Sequence, residues 1–71
     1  MALVFTGQKI AGMSGTSLEA YDGDKRIVVV VTHEAEQDFG LSRAQETARA
    51  KYARNLIERD GTVRVTTVDC T

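Results

Sequence analysis

The chain carries few side chains able to do covalent chemistry. His33 is its one histidine and Cys70 its one cysteine. The remaining nucleophiles are Ser14, Ser17, Ser42 and the threonines. Nucleophilic catalysis needs a nucleophile, a base and a group that orients the base. Only His33 is a base near neutral pH. Ser42 has a capping role to fill, and Cys70 stands beside the last residue, where order is expected to be poor. The reading is therefore no enzyme and no catalytic residue; a pocket joining His33 to a carboxylate and a hydroxyl would revive the enzyme reading.

Three further patterns invite a chemical reading. Gly7-Gln-Lys-Ile-Ala-Gly12-Met13-Ser14 has the glycine spacing of a phosphate-binding loop. That mechanism requires a lysine where Met13 stands and a helix directly after, and here a strand is expected instead. His33-Glu-Ala-Glu-Gln-Asp38 gathers a histidine and three carboxylates, with His33 and Glu36 able to share a helix face. A structural metal needs further histidine or cysteine ligands, so the stretch reads as an acidic helix start favoured by the helix dipole. No metal and no cofactor is assigned. The third pattern is charge. Residues 1–40 hold three bases against six acids, net −3, whereas residues 41–61 hold five bases against three acids, net +2. Arg49, Arg54 and Arg59 then mark a helix face able to contact phosphate, which is the alternative function. Aromatic support for base stacking is thin, because the aromatics are only Phe5, Tyr21, Phe39 and Tyr52.

Any such site must be positioned by one small domain spanning residues 1–71. Its composition, 42% hydrophobic and 27% charged with a net charge of −1, excludes a disordered chain and a polybasic or polyacidic tail. A single cysteine excludes an internal disulfide. The longest aliphatic run, Ile27–Val31, is far short of the ~20 residues of a membrane helix. The opening residues lack the basic segment of a signal peptide, so a cytoplasmic, bacterial-type domain is expected.

Ala2 to Thr6 reads as a short strand or extended arm. Gly7–Gly15 reads as a glycine-rich loop, giving an arm and loop over 1–15 and the folded remainder over 16–71. Asp22-Gly23 between Thr16–Tyr21 and Arg26–Thr32 signals a β-hairpin. Along the first strand Leu18 and Ala20 point one way, and Ser17, Glu19 and Tyr21 the other. Ile27, Val29 and Val31 form one face of the second strand, Val28 and Val30 the other. Thr32 caps a short helix that Gly40 ends, with Ala35 and Phe39 sharing its buried face. Ser42-Arg-Ala-Gln45 is a capping box for a long helix reaching about Arg59, with Gly61 beyond its end. Its apolar stripe is Ala44, Ala48, Tyr52 and Leu56. Thr62–Val68 reads as the last strand.

This order of elements resembles the small bacterial proteins of domain-of-unknown-function family 1488. The resemblance rests on Leu3 and Phe5, Tyr21-Asp22-Gly23, Ile27 to Thr32, Glu34-Ala35, Asp38-Phe39-Gly40, Tyr52 to Ile57, and Gly61 before Val63 to Asp69. It departs at Glu36, where the family usually has leucine, and in a shorter long helix. It implies an α+β fold and no known activity, catalytic residue or cofactor.

The expected architecture is α+β: a small antiparallel sheet of three to four strands, one long helix on one face and a short helix after the hairpin. One helix cannot cover two faces. Val28 and Val30 therefore need cover from the Phe5 arm, from Phe39 or from another molecule. Phe5, Val28, Val30 and Phe39 mark the expected interaction surface of a non-catalytic module that self-associates or binds a protein partner.

Overall fold

A computed structural model describes residues 3–12 and 15–70. Four strands form one sheet in the order β1 (Val4–Gly12), β2 (Gly15–Asp22), β3 (Lys25–Thr32), β4 (Val63–Val65). Helix α1 (His33–Ala53) lies against it, and a four-residue helix α2 (Thr67–Cys70) follows β4. The α+β class is the expected one.

The β2–β3 hairpin forms as the sequence requires. Asp22 pairs with Lys25 across a two-residue loop. Gly23 takes φ +62°, while Asp24 keeps a negative φ, the pattern of a type II′ turn. β3 alternates as a half-covered strand should. Ile27, Val29 and Val31 are buried, and Val28 and Val30 are only partly so. The buried set joins Leu18 and Ala20 of β2, Val63 and Val65 of β4, and Ala35, Ala44 and Ala48 of α1 in one core with Leu3 and Cys70. Small alanines on the helix let it approach the branched valines of the sheet closely.

Five expectations are corrected. The segment Gly7–Gly12 is not loop: β1 runs to Gly12 and pairs with β2 on both sides of a bulge between Phe5 and Lys9. Gly7, at φ +92°, sits in that bulge, so the glycine bends a strand rather than breaking it. Met13 and Ser14, on which the phosphate-loop reading and one candidate nucleophile fall, lie outside the described residues.

The sheet is mixed, because β4 runs parallel to β3. A helix between neighbouring strands carries the chain back to its starting end, so the next strand must run the same way.

The helical span reaches Ala53 and not Arg59. Its two expected parts do meet at Gly40, where φ +82° and ψ 166° interrupt helical geometry two residues before Ser42. Its end is a Schellman motif: Leu56 N–H donates to Lys51 O at 2.9 Å and Asn55 N–H to Tyr52 O at 3.0 Å. Asn55 occupies the left-handed position at φ +60°, a role that asparagine tolerates. Leu56 accordingly leaves the helix and is 47% exposed, while Ala44 and Ala48 keep their places in the stripe.

The last strand stops at Val65. Thr66 and Asp69 start a short helix instead: Thr66 N–H donates to Asp69 Oδ2 at 2.9 Å, the carboxylate half of a capping box, and Asp69 N–H closes a turn on the Thr66 carbonyl at 3.1 Å. Val68, which would have disturbed a strand's polar face, is an exposed helix residue. Cys70 is fully buried rather than loosely held, with Thr47 Oγ1 3.7 Å from its sulfur.

Candidate interaction face

Register decides which side chains share the face turned away from α1. Ile10, Ser17, Val30 and Arg64 form one cross-strand row. Glu19 lies opposite Val28 in the next row, and Val4, Tyr21 and Arg26 form the third. Directly opposed residues point to the same side of a sheet. The face therefore mixes apolar and polar side chains, with Val28 and Val30 half-buried beside Ser17 and Glu19, Ile10 68% exposed and Val4 64% exposed.

Its charges are balanced locally. Arg26 Nε donates to Glu19 Oε2 at 2.7 Å, and Thr6 Oγ1 donates to Glu19 Oε1 at 3.1 Å. The Arg26 hydrogen bond, joined by that from Thr6, holds the Glu19 carboxyl below its usual value; the same contact raises Arg26. A shallow depression of about 370 Å³ is lined by Gln8, Ile10, Ser17, Glu19, Arg26 and Val28. Beside it Val30, Thr62 and Arg64 share a smaller hollow with Glu58 and Asp60 from the connection before β4.

Two residues expected on this face are elsewhere. Phe5 lies opposite Ala20 and packs against the core on the helix side. Phe39 belongs to α1, on the far side of the sheet, and is 37% exposed. Neither covers Val28 or Val30. Pairing explains Phe5: it lies opposite Ala20, whose side chain is buried on the helix side, and the two extra residues of the bulge keep the alternation, so Lys9 shares that side while Val4 and Ile10 take the open one.

The arginines do not form one helix face. Arg49 Nε donates to Leu3 O at 3.1 Å, and its guanidinium lies 5.1 Å from the centre of the Phe5 ring. It clamps the start of β1 to α1. Arg54 is the residue capping the end of α1, and Arg59 lies beyond the helix. The neighbouring cations are also engaged: Arg43 donates to Cys70 O, and Lys51 to Arg64 O and Asp69.

His33 and Glu36 do not act together. His33 Nε2 is 3.1 Å from Gly12 O, whereas Glu36 accepts from Thr16 Oγ1 at 2.6 Å. Among the described residues no three His, Cys, Asp or Glu side chains gather to hold a metal. A depression of about 350 Å³ does join His33 to Glu34 and to Thr32, Thr66 and Thr67. Two of those hydroxyls are engaged: Thr32 Oγ1 caps α1 by accepting from Ala35 N–H, and Thr66 Oγ1 donates to the Asp69 carboxylate. The grouping thus arises where two helices start beside the ends of β3 and β4.

Sequence reasoning found Val28 and Val30 but missed Ile10, Arg64 and the Glu19–Arg26 pair. The Thr66-x-x-Asp69 spacing was the available signal that the last strand stops early, leaving Arg64 beside Val30. Among the described residues no helix is long and apolar enough to cross a membrane. No family model, curated protein or solved structure matches the chain.

Proposed function

We propose that this is a non-catalytic protein-interaction module whose contact surface is the open sheet face around Ile10, Val28 and Val30. The observation that supports it is one-sided cover. Helix α1 buries Ile27, Val29 and Val31, whereas Val28 and Val30 on the opposite face are only partly buried. Ile10 and Val4 stand exposed on this face beside the paired charges of Glu19 and Arg26, a combination that suits a protein partner. His33 and the Thr32 and Thr66 hydroxyls have structural partners and Cys70 is buried in the core, which favours a binding role, while the hollow joining His33 to Glu34 and Thr67 is the arrangement that would serve catalysis. Kinship with domain-of-unknown-function family 1488, a bacterial source and a cytoplasmic setting belong to the same proposal and bring no activity with them. Nucleic-acid contact through Arg49, Arg54 and Arg59 is the less favoured reading, since Arg49 is occupied by Leu3 and Phe5.

The test is a photo-crosslinking amino acid placed at position 28 or 30 in the full chain in living cells, with position 50 on the outer side of α1 as control. Positions 28 and 30 should yield a discrete crosslinked polypeptide that position 50 does not. No adduct at either position, or the same adduct at all three, would refute the reading.

A further inference from the structure

We propose that the Asp22-Gly23 peptide is a site of aspartate isomerisation and that the Tyr52 hydroxyl is the positioning group that slows it. The proposal is independent of the interaction reading above.

The chemistry needs no partner. An aspartate followed by glycine can close on its own main chain, because glycine puts no side chain in the way of the attacking nitrogen. Gly23 N attacks Cγ of the protonated Asp22 carboxyl. The N–Cγ bond forms, the bond from Cγ to the hydroxyl oxygen breaks, and the amide hydrogen leaves with that hydroxyl as water. Solvent water then opens the five-membered imide. Attack at Cγ restores aspartate. Attack at the Asp22 main-chain carbonyl breaks its bond to Gly23 N and leaves the chain running through Cβ. Nothing is oxidised or reduced.

The sequence offers this dipeptide twice, at Asp22-Gly23 and at Asp60-Gly61. The structure separates the two. At Asp60 both reacting groups are held. Thr62 N–H and Thr62 Oγ1 donate to Asp60 Oδ1 at 3.0 and 2.7 Å, and Gly61 N–H donates to Glu58 O at 2.9 Å. The Thr62 hydrogen bonds also keep the Asp60 carboxyl below its ordinary value, so less of the reactive acid is present.

At Asp22 only the carboxyl is held. Tyr52 Oη donates to Asp22 Oδ2 at 2.5 Å, which draws the side chain toward α1. Among the described residues none accepts from Gly23 N–H, and nothing lies within 4 Å of a Cβ built at Gly23, so the ring has room to form. The restraint therefore rests on one phenol. Its hydrogen bond to Asp22, joined by burial, raises the Tyr52 value, and the hydroxyl keeps its proton at neutral pH.

The product carries one extra main-chain carbon at the residue that pairs with Lys25 across the two-residue loop. Loop length sets hairpin register, so the change acts on the middle of the sheet.

Ageing the full chain in mildly acidic buffer, followed by tryptic mapping with electron-transfer fragmentation, tests the proposal. Trypsin places the two Asp-Gly pairs in different peptides, so Asp60 serves as an internal reference. Isoaspartate should accumulate faster at Asp22 than at Asp60 in the parent chain. Tyr52→Phe should raise the rate at Asp22 about fivefold, the factor of one net hydrogen bond, and leave Asp60 unchanged. Asp22→Glu should abolish the product at that peptide, because glutamate would have to close a six-membered ring. Absence of isoaspartate at position 22 in Tyr52→Phe, equal rates at the two sites, or a product that persists in Asp22→Glu would overturn the proposal. So would equal acceleration of both sites by Tyr52→Phe, since a general loosening of the fold moves Asp60 as well.

Discussion

Gly15 is the position where a single added methyl group should do the most damage. A Cβ built there would lie 2.0 Å from Val31 O, 2.9 Å from Val31 C and 3.0 Å from Thr32 Cα. All three obstacles are backbone, at the end of β3 and beside the residue that caps α1, so no side chain can swing aside. Gly15 also holds φ +148°, which other residues rarely adopt. Relief would require the start of β2 to separate from β3 at the Gly15–Thr32 pair. The backbone conformation alone costs about 1–3 kcal/mol. Losing a ladder hydrogen bond adds about 1 kcal/mol. Gly15→Ala should therefore cost about 3 kcal/mol, a large share of the roughly 4–10 kcal/mol available to a chain of this length. Gly23→Ala is the control: its φ is +62°, but nothing lies within 4 Å of an added Cβ. It should cost about 1–2 kcal/mol, the ordinary penalty for the left-handed region. Urea unfolding followed by far-ultraviolet circular dichroism measures both. If Gly15→Ala is no more destabilising than Gly23→Ala, the close approach of β2 to β3 is not what holds this corner, and the reasoning fails.

Three further outcomes are expected. Val29→Ala, at the fully buried centre of the core, should destabilise by about 2 kcal/mol, while Val28→Ala one residue away should cost well under 1 kcal/mol in the monomer; equal losses in urea unfolding would contradict the assignment of faces. Asp69 should supply acid-sensitive stability. Burial alone would raise its carboxyl pKa, but hydrogen bonds from Thr66 and the Lys51 ammonium outweigh burial and leave it below the ordinary value. A depressed folded value means that this stability is present above the unfolded value and disappears as pH falls through the folded one. The melting-temperature gap between the parent chain and Asp69→Asn should thus be open at neutral pH and close below about pH 4; a gap independent of pH would refute it. Cys70, fully buried, should react with a thiol reagent such as DTNB only as fast as the chain opens, and at once in urea; rapid reaction of the native chain would show that α2 does not hold it in the core.

The resemblance of sequence expectation to structure is closest where a local pattern has one physical solution. Asp22-Gly23 between apolar runs makes a tight hairpin. The alternation Ile27, Val29, Val31 against Val28, Val30 divides one strand between core and open face. Thr32 caps α1 with a hydrogen bond to Ala35 N–H, and Gly40 breaks the helix where a positive φ is needed. Agreement weakens where two local solutions compete. Gly7 and Gly12 suit a loop or a bulged strand equally, and only pairing with β2 selects the strand. Asn55 and Gly61 are both able to end a helix, and the chain stops at the earlier one because Leu56 and Asn55 close a Schellman motif there. Thr66-x-x-Asp69 suits a strand end or a capping box, and packing of Cys70 into the core accompanies the second.

The amino-acid sequence by itself thus determined the hairpin, the two faces of β3, the alanine stripe of α1 and the α+β class, since each follows from side-chain period, turn chemistry or capping over a few residues. Tertiary structure alone decided that β4 runs parallel to β3 and that Phe5, paired with Ala20, faces the helix side. It also decided that Arg49 is used up on Leu3 and Phe5, and that Ile10 and Arg64 complete the open face around Val28 and Val30. Those features depend on which distant strand lies alongside, and the pairing of segments far apart in the chain leaves no periodic mark within either of them.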